Sequence, residues 1–388
     1  MGSVHEGAQA RARRQALPAV GACDDAFDWP DFWSRADYHG LTTIAVAEMR
    51  RPIPVAPAAL SEGERRLQRT AHLNLLRAAE AGRVWRTLMD ADVRSLIVKG
   101  PTLAVLAYTN VADRPINDLD FLIEPSQSQR AESALLAAGY IPQWSADGPE
   151  ARMIKPRVGA AVFFHEKLPV AIDLHRQLTL GWQDPIWSFD ELWRRRTDVV
   201  VGGVSLPTLG RNDLLLYLLI HGSKPDHAWA RVGWLLDVAL LTQNEPVIDW
   251  GGIWRRAEAH GFGRSVRLGL LLAERVFECP VPSQIADAVR ADSVASELAE
   301  EIRQRLGKTV AELERDDWVF RRRFISRIIE RRRDRVRQFV DYLICPTLKE
   351  MEFVRLPRWL SPAYVPLRIA RLAWLAARWP IGRLLVGR

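Results

Sequence analysis

Apolar and polar positions follow two different rhythms along this chain, and the change between them divides it. From Ser61 to about Met89, Leu67, Leu73, Leu75, Leu76 and Trp85 form a broadly apolar helical face, and Ser61 with Glu64 has the form of a capping box. Between 91 and about 210 the pattern is mixed. Short apolar runs predict strands at 95–98, 118–123, 160–165, 169–175 and 197–206, with a helix near 126–138 that Gly139 ends. The runs at 160–165 and 169–175 are separated by EKLP, which predicts a hairpin. After Arg211 the period becomes helical, over 212–222, 229–243, 250–277, 283–306 and 319–344, punctuated by Pro280, Pro282 and Pro346. Ahead of all this, residues 1 to about 20 are Ala/Arg/Gly-rich and read as loose. The following forty, with Trp29, Trp33 and RRPIPVAPAA, read as an irregular or short-helical lead-in.

Composition narrows the class. A chain of 388 residues is expected to hold two or three domains, and 48% hydrophobic residues with 9% aromatics can fill a core, which excludes a disordered protein. The net charge of +7 favours anionic partners without choosing among them. Of the 54 basic residues six are Lys and 48 Arg, a bias that fits a GC-rich genome better than wholesale phosphate recognition. Cys23, Cys279 and Cys345 are far apart and match no metal spacing, so neither a disulfide framework nor a zinc site is expected. Arg11, Arg13 and Arg14 have no apolar segment behind them, and no uncharged apolar run reaches eighteen residues. The expectation is a cytoplasmic protein, with peripheral contact at the inner membrane face left open.

The chemistry concentrates in LIVKGPTLAVLAYTNVADRPINDLDFLI, residues 96–123. It reads as a strand, a Gly turn, a short helix, a loop carrying Arg114, and a strand bearing Asp118 and Asp120. Side chains two apart on a strand share a face, so both carboxylates aim at one spot, and PVAIDLH adds Asp173 from another apolar strand. Two charges 4 Å apart at an effective dielectric near 20 repel by roughly 4 kcal/mol. Three carboxylates in one place therefore make sense with divalent cations, the layout of a two-metal phosphoryl-transfer site. Against this stand plainer readings: a turn cap for the Asp pair, a satisfied structural role for His175, and a simple loop cation for Arg114.

The KG turn, the Arg before DLDFL, the later IDLH and the segment HGSKPDHAWARVGWLLDVALL together resemble the DNA polymerase beta-like nucleotidyltransferase superfamily. Within it they are most similar to the bacterial group of uncharacterised nucleotidyltransferases, over roughly residues 65 to 345. The resemblance implies an α/β (α+β) fold, with a small mixed sheet against helices followed by a mostly helical domain. It implies transfer of a nucleoside monophosphate from an NTP to an acceptor, with release of pyrophosphate and with Mg²⁺ (or Mn²⁺) as cofactor. Asp118 and Asp120 would bind both metals and Asp173 the catalytic one. Lys99, Gly100 and Arg114 would meet the triphosphate, and Thr102 would replace a hydroxyl lost where the usual Gly-Ser is Gly100-Pro101, since Pro101 has no N–H to offer. His175, His221, Lys224 and His227 would stand behind these groups. At helical spacing Trp234, Leu235 and Val238 read as core.

The domains expected are thus a lead-in over 1–60, a nucleotidyltransferase core over 61–210, a helical domain over 211–345 and a basic amphipathic tail over 346–388. RRRFISRIIERRRDRVRQ, from Arg321, reads as a solvated helix with an apolar stripe of Ile325, Ile329, Val336 and Val340. Arg368, Arg371 and Arg378 share one side of the expected helix in SPAYVPLRIARLAWLAARW, which would then either dock on the protein or lie in a membrane interface. Nucleic acid is an unlikely partner, because no recognised module is present and Arg is abundant throughout. The acceptor stays open among small molecules, peptides, proteins and polysaccharide intermediates. The alternative function is a catalytically silent nucleotide-binding or interaction protein on the same fold, with or without membrane contact.

Overall fold

The computed structural model describes residues 27–51, 55–108, 110–144, 159–243 and 248–385. The reading of residues 1 to about 20 as loose lies outside the described residues. Seven short strands form one mixed sheet: β1 (Ser95–Ile97), β2 (Leu119–Ile123), β3 (Tyr140–Pro142), β4 (Ala160–His165), β5 (Ala171–His175), β6 (Thr197–Val201) and β7 (Val204–Thr208), in the order β3-β4-β5-β2-β1-β7-β6. β2 runs parallel to β5 and antiparallel to β1, while β1 pairs in parallel with β7. The hairpin expected across EKLP is present as β4–β5.

Alternation along β2 and β5 decides what each face of the sheet does. Ile97, Leu119, Phe121, Ile123, Ile172 and Leu174 are buried with Ala78, Ala81, Val84 and Leu88 of the long helix Pro57–Asp90 and with Leu135 of the helix Ser128–Ala137. The other face gives Leu96, Val98 and Leu122 to a second, larger core. That core is completed by the helices Arg211–Gly222, Val232–Gln243, Trp250–His260, Gly263–Phe277 and Ser293–Leu306. A mixed α/β region with a small sheet is therefore followed by a largely helical one. Full burial of such Leu, Ile or Phe side chains contributes about 1.5–3 kcal/mol each, which is why the period-2 pattern was a sound guide.

Several boundaries differ from expectation for physical reasons. The long helix begins at Pro57, four residues before Ser61, because proline suits a first turn where no N–H donor is required. The run at 197–206 is two strands: Gly202 and Gly203 have φ of +56° and +82°, the pair of positive values a tight hairpin turn needs. The run at 250–277 breaks at Gly261, whose φ of +80° caps one helix before the next begins. The run at 319–344 belongs to two helices, Val310–Ile328 and Arg332–Ile344. The lead-in is helical over Trp29–His39 and Thr42–Met49. Trp33 is buried where the long helix carries Gly63, at which a Cβ would come within 2.4 Å of the indole.

Candidate active site

The register of β2 against β5 sets Asp120 directly beside Asp173, with His175 opposite Leu122. Because Leu119, Phe121, Ile172 and Leu174 go to the long helix, Asp120, Asp173 and His175 share the opposite face. One ligand atom from each of these three lies within 4.8 Å of the others. Asp118 precedes the first residue of β2, is partly exposed, and lines a cleft together with Lys99, Arg114 and His221.

A chain of polar contacts runs through the site. His175 Nε2 is 2.9 Å from Asp120 Oδ1, Lys99 Nζ is 3.1 Å from Asp120 Oδ2, and Lys99 Nζ is 3.0 Å from His221 Nε2. Burial works against the charge of Lys99, but the Asp120 carboxylate outweighs it, and Lys99 stays an ammonium. His221, buried beside that ammonium, is held well below the ordinary histidine range. It is therefore neutral and its Nε2 accepts from Lys99. Burial likewise opposes the charge of Asp120, yet Lys99 and His175 hold its carboxyl low. Asp173 takes the remainder: burial, then the Asp120 charge, push it up to about 6.

One ammonium thus serves two carboxylates, and the arrangement fits a divalent cation. Asp120 Oδ2 is buried and, although Lys99 stands close, has no partner in hydrogen-bonding alignment. Two carboxylates and an imidazole can coordinate a divalent metal, and Asp118 is not among the residues whose ligand atoms converge here.

The remaining expected residues are distributed around this centre. Gly100 occupies φ +63°, ψ −125°, a conformation closed to L side chains, and a Cβ there would lie 3.5 Å from the Asp118 carbonyl. Arg114 lines the cleft, but its guanidinium is clamped by Asp237 through bonds of 2.8 and 2.9 Å, and Tyr108 donates to the same carboxylate at 2.8 Å. Thr102 is not brought to the cleft. It is fully buried and its hydroxyl is spent on the Lys99 carbonyl at 3.1 Å and Thr208 at 3.2 Å, which corrects the expectation of a phosphate-facing hydroxyl there. His227 lies 4.1 Å from His221 between ring centres, and Lys224, half-buried near the Tyr217 ring, is lowered to about 8, chiefly by burial and then by the Lys99 charge. Leu235 and Val238 are core as expected, whereas Trp234 turns toward the cleft with its ring 4.7 Å from His227.

Asn74 went unnoticed in the sequence. Buried on the long helix, its Nδ2 donates to the carbonyls of Val111, Ala112 and Arg114 at 3.1, 3.3 and 2.8 Å, and its Oδ1 accepts from Ile116 N–H at 3.0 Å. That one amide shapes the loop leading to Asp118. The only hint in the sequence was a polar residue beside Leu73, Leu75 and Leu76, a weak signal.

A mixed sheet that sets paired carboxylates and a lysine beneath a cleft roofed by helices is the architecture of a nucleotidyltransferase-like protein. The chain belongs to a family described as uncharacterised nucleotidyltransferase, whose model matches residues 25–278, within the polymerase beta-like superfamily. The match takes in the N-terminal helices, the whole sheet and the first helices of the second core, and leaves out the C-terminal hundred or so residues. No curated protein matches the chain.

Proposed function

We propose that the protein transfers a nucleoside monophosphate from an NTP to an acceptor, with a divalent metal as cofactor. The observation that carries this reading is the β2–β5 register, which brings Asp120, Asp173 and His175 together in a chain of this family. Asp118, Asp120 and Asp173 would hold Mg²⁺ or Mn²⁺, with His175 as a further ligand or as the group that orients Asp120. When bound, the metal would supply charge neutralisation and Lewis-acid polarisation at the phosphates. Lys99, an ammonium already aimed into the cleft, meets the triphosphate. Gly100 lets the backbone come close beside it, and Asp173 stands where an acceptor group can be oriented and its proton received. The acceptor oxygen bonds to the α-phosphorus, the bond to the β-phosphate breaks, and pyrophosphate leaves. Arg114 acts indirectly in this reading, holding the loop before Asp118 to the helix that carries Asp237.

Pyrophosphate release from each NTP, with Mg²⁺ or Mn²⁺ and a panel of acceptors, tests the proposal. Asp120→Asn, with folding checked by its melting midpoint, is expected to lower turnover by roughly a thousandfold or more. Metal-dependent NTP binding that Asp120→Asn abolishes, with no turnover for any acceptor, would favour the silent nucleotide-binding reading instead.

A further inference from the structure

The net positive charge of this protein is confined to its end. Of 54 basic and 47 acidic residues, 47 of each precede residue 353, and residues 353–388 add seven Arg and no acid. The whole net charge of +7 therefore sits on those last 36 residues, beyond the segment that defines the family.

The same region is apolar on the outside. Among the described residues, thirteen of the 21 large hydrophobic side chains that are exposed lie between Trp318 and Leu375. Phe353 and Trp359 are the most exposed of all, at 78% and 77%. The helix Tyr364–Leu385 is inverted relative to an ordinary surface helix. Its inward side carries Tyr364, Arg368 and Arg371, with Arg368 and Arg371 bonded to the buried Glu350. Its outward side shows Pro366, Ile369, Ala370, Ala373, Trp374 and Ala377, all exposed and none charged. Of the arginines expected on one side of this helix, Arg368 and Arg371 face the protein, and the apolar arc faces out. The loop before this helix is rigid: Tyr364 Oη donates to the Val354 carbonyl and accepts from Leu356 N–H, both at 2.9 Å, between Phe353 and Trp359. The helix Arg332–Ile344, earlier in the chain, adds exposed Val336, Phe339, Val340 and Ile344.

We infer that residues 332–385 form a docking surface for an anionic lipid bilayer, with Phe353, Trp359, Ile369 and Trp374 entering the interface, exposed Arg355 at its edge and the net positive charge of the segment favouring anionic headgroups. An apolar arc with a local excess of positive charge is what such a surface recognises. A second copy fits poorly, because pairing this region with itself would bring like net charge against like. No helix among the described residues is long and apolar enough to cross a membrane, so the contact is peripheral.

The full chain is tested by cosedimentation with vesicles of phosphatidylcholine alone and of phosphatidylcholine and phosphatidylglycerol at three to one. Binding to the mixed vesicles, weak or absent on the neutral ones and reduced by added salt, is expected. Phe353→Ser/Trp359→Ser and Ile369→Gln/Trp374→Gln should each reduce the bound fraction by about fivefold or more. Their melting midpoints should stay at the wild-type value, since all four residues are exposed. Failure to bind the mixed vesicles, or undiminished binding of both variants, overturns the inference. So does a concentration-dependent dimer that the same substitutions dissociate, which would make the face a self-interface. Tight binding to an oligonucleotide without vesicle binding would assign it to nucleic acid.

Discussion

Two buried ionic clusters in this molecule are built from the same groups and end in opposite states. Around Asp120 and Asp173 two carboxylates share the Lys99 ammonium, and the second carboxyl is driven up to about 6 by burial and by its neighbour. Around Glu350 two guanidiniums share one carboxylate. Arg368 and Arg371 bond its Oε1 while Thr347 N–H and hydroxyl donate to its Oε2 at 2.6 and 2.7 Å. Burial opposes the charge of Glu350, but the Thr347 bonds and the guanidiniums outweigh it and hold the carboxyl down to about 2. Arg368 also donates to the Tyr342 carbonyl at 3.2 and 3.0 Å, so its own needs are met. The C-terminal cluster is saturated and serves to fasten helices. The sheet cluster is left with uncompensated negative charge, the condition in which a site attracts a cation.

That contrast can be broken most sharply at Glu350. Glu350→Ala strands two guanidiniums and is expected to destabilise the C-terminal helices by about 3–5 kcal/mol, read by urea unfolding of the full chain. A milder form of the same experiment uses pH. Because the folded carboxyl lies below its unfolded value of 4.5, its stabilisation is complete above pH 4.5 and is lost as pH falls toward 2. Glu350→Gln should flatten that part of the stability profile.

The sheet cluster should respond to metal instead. Mn²⁺ or Mg²⁺ at a hundred times its dissociation constant adds about 2.7 kcal/mol to stability. The gain should disappear in Asp120→Asn/Asp173→Asn and persist in Glu350→Gln. Calorimetric melting of the three proteins decides it, and a gain retained in the double variant would place the metal elsewhere. The smallest effect concerns the backbone beside Lys99. Gly100→Ala forces an L side chain into φ +63°, ψ −125° and should cost about 1–3 kcal/mol, with NTP binding weakened beyond what the loss of stability explains.

The reach of sequence reasoning shows in particular residues. Asp120 and Asp173 were legible because a carboxylate between Leu119 and Phe121, or between Ile172 and Leu174, violates the local apolar pattern, and burying one without a partner is costly. His175 was legible as their neighbour by period-2 alternation alone. Thr102 was misread because its environment depends on Thr208, far along the chain. Arg114 showed itself as a loop cation, but its partner Asp237 lies in another core, and nothing local to either residue announces the pair. The orientation of the C-terminal helix was left open for the same reason: the direction Arg368 and Arg371 face is set by Glu350 in a separate helix.

The sequence by itself determined most of the strands and helices, though not β3 or the break between β6 and β7, together with the residue types of the site and the confinement of net charge to the last 36 residues. These follow from spacing and composition, which act within a few residues of each position. Only the tertiary structure decided which strands are neighbours, that Lys99 links Asp120 to His221, that Asn74 shapes the loop before Asp118, and which side of the last helix meets solvent. Such outcomes depend on contacts between residues tens to hundreds of positions apart. Whether a buried charge finds its partner there is settled by packing, because the sheet and the helices must close before either group leaves water.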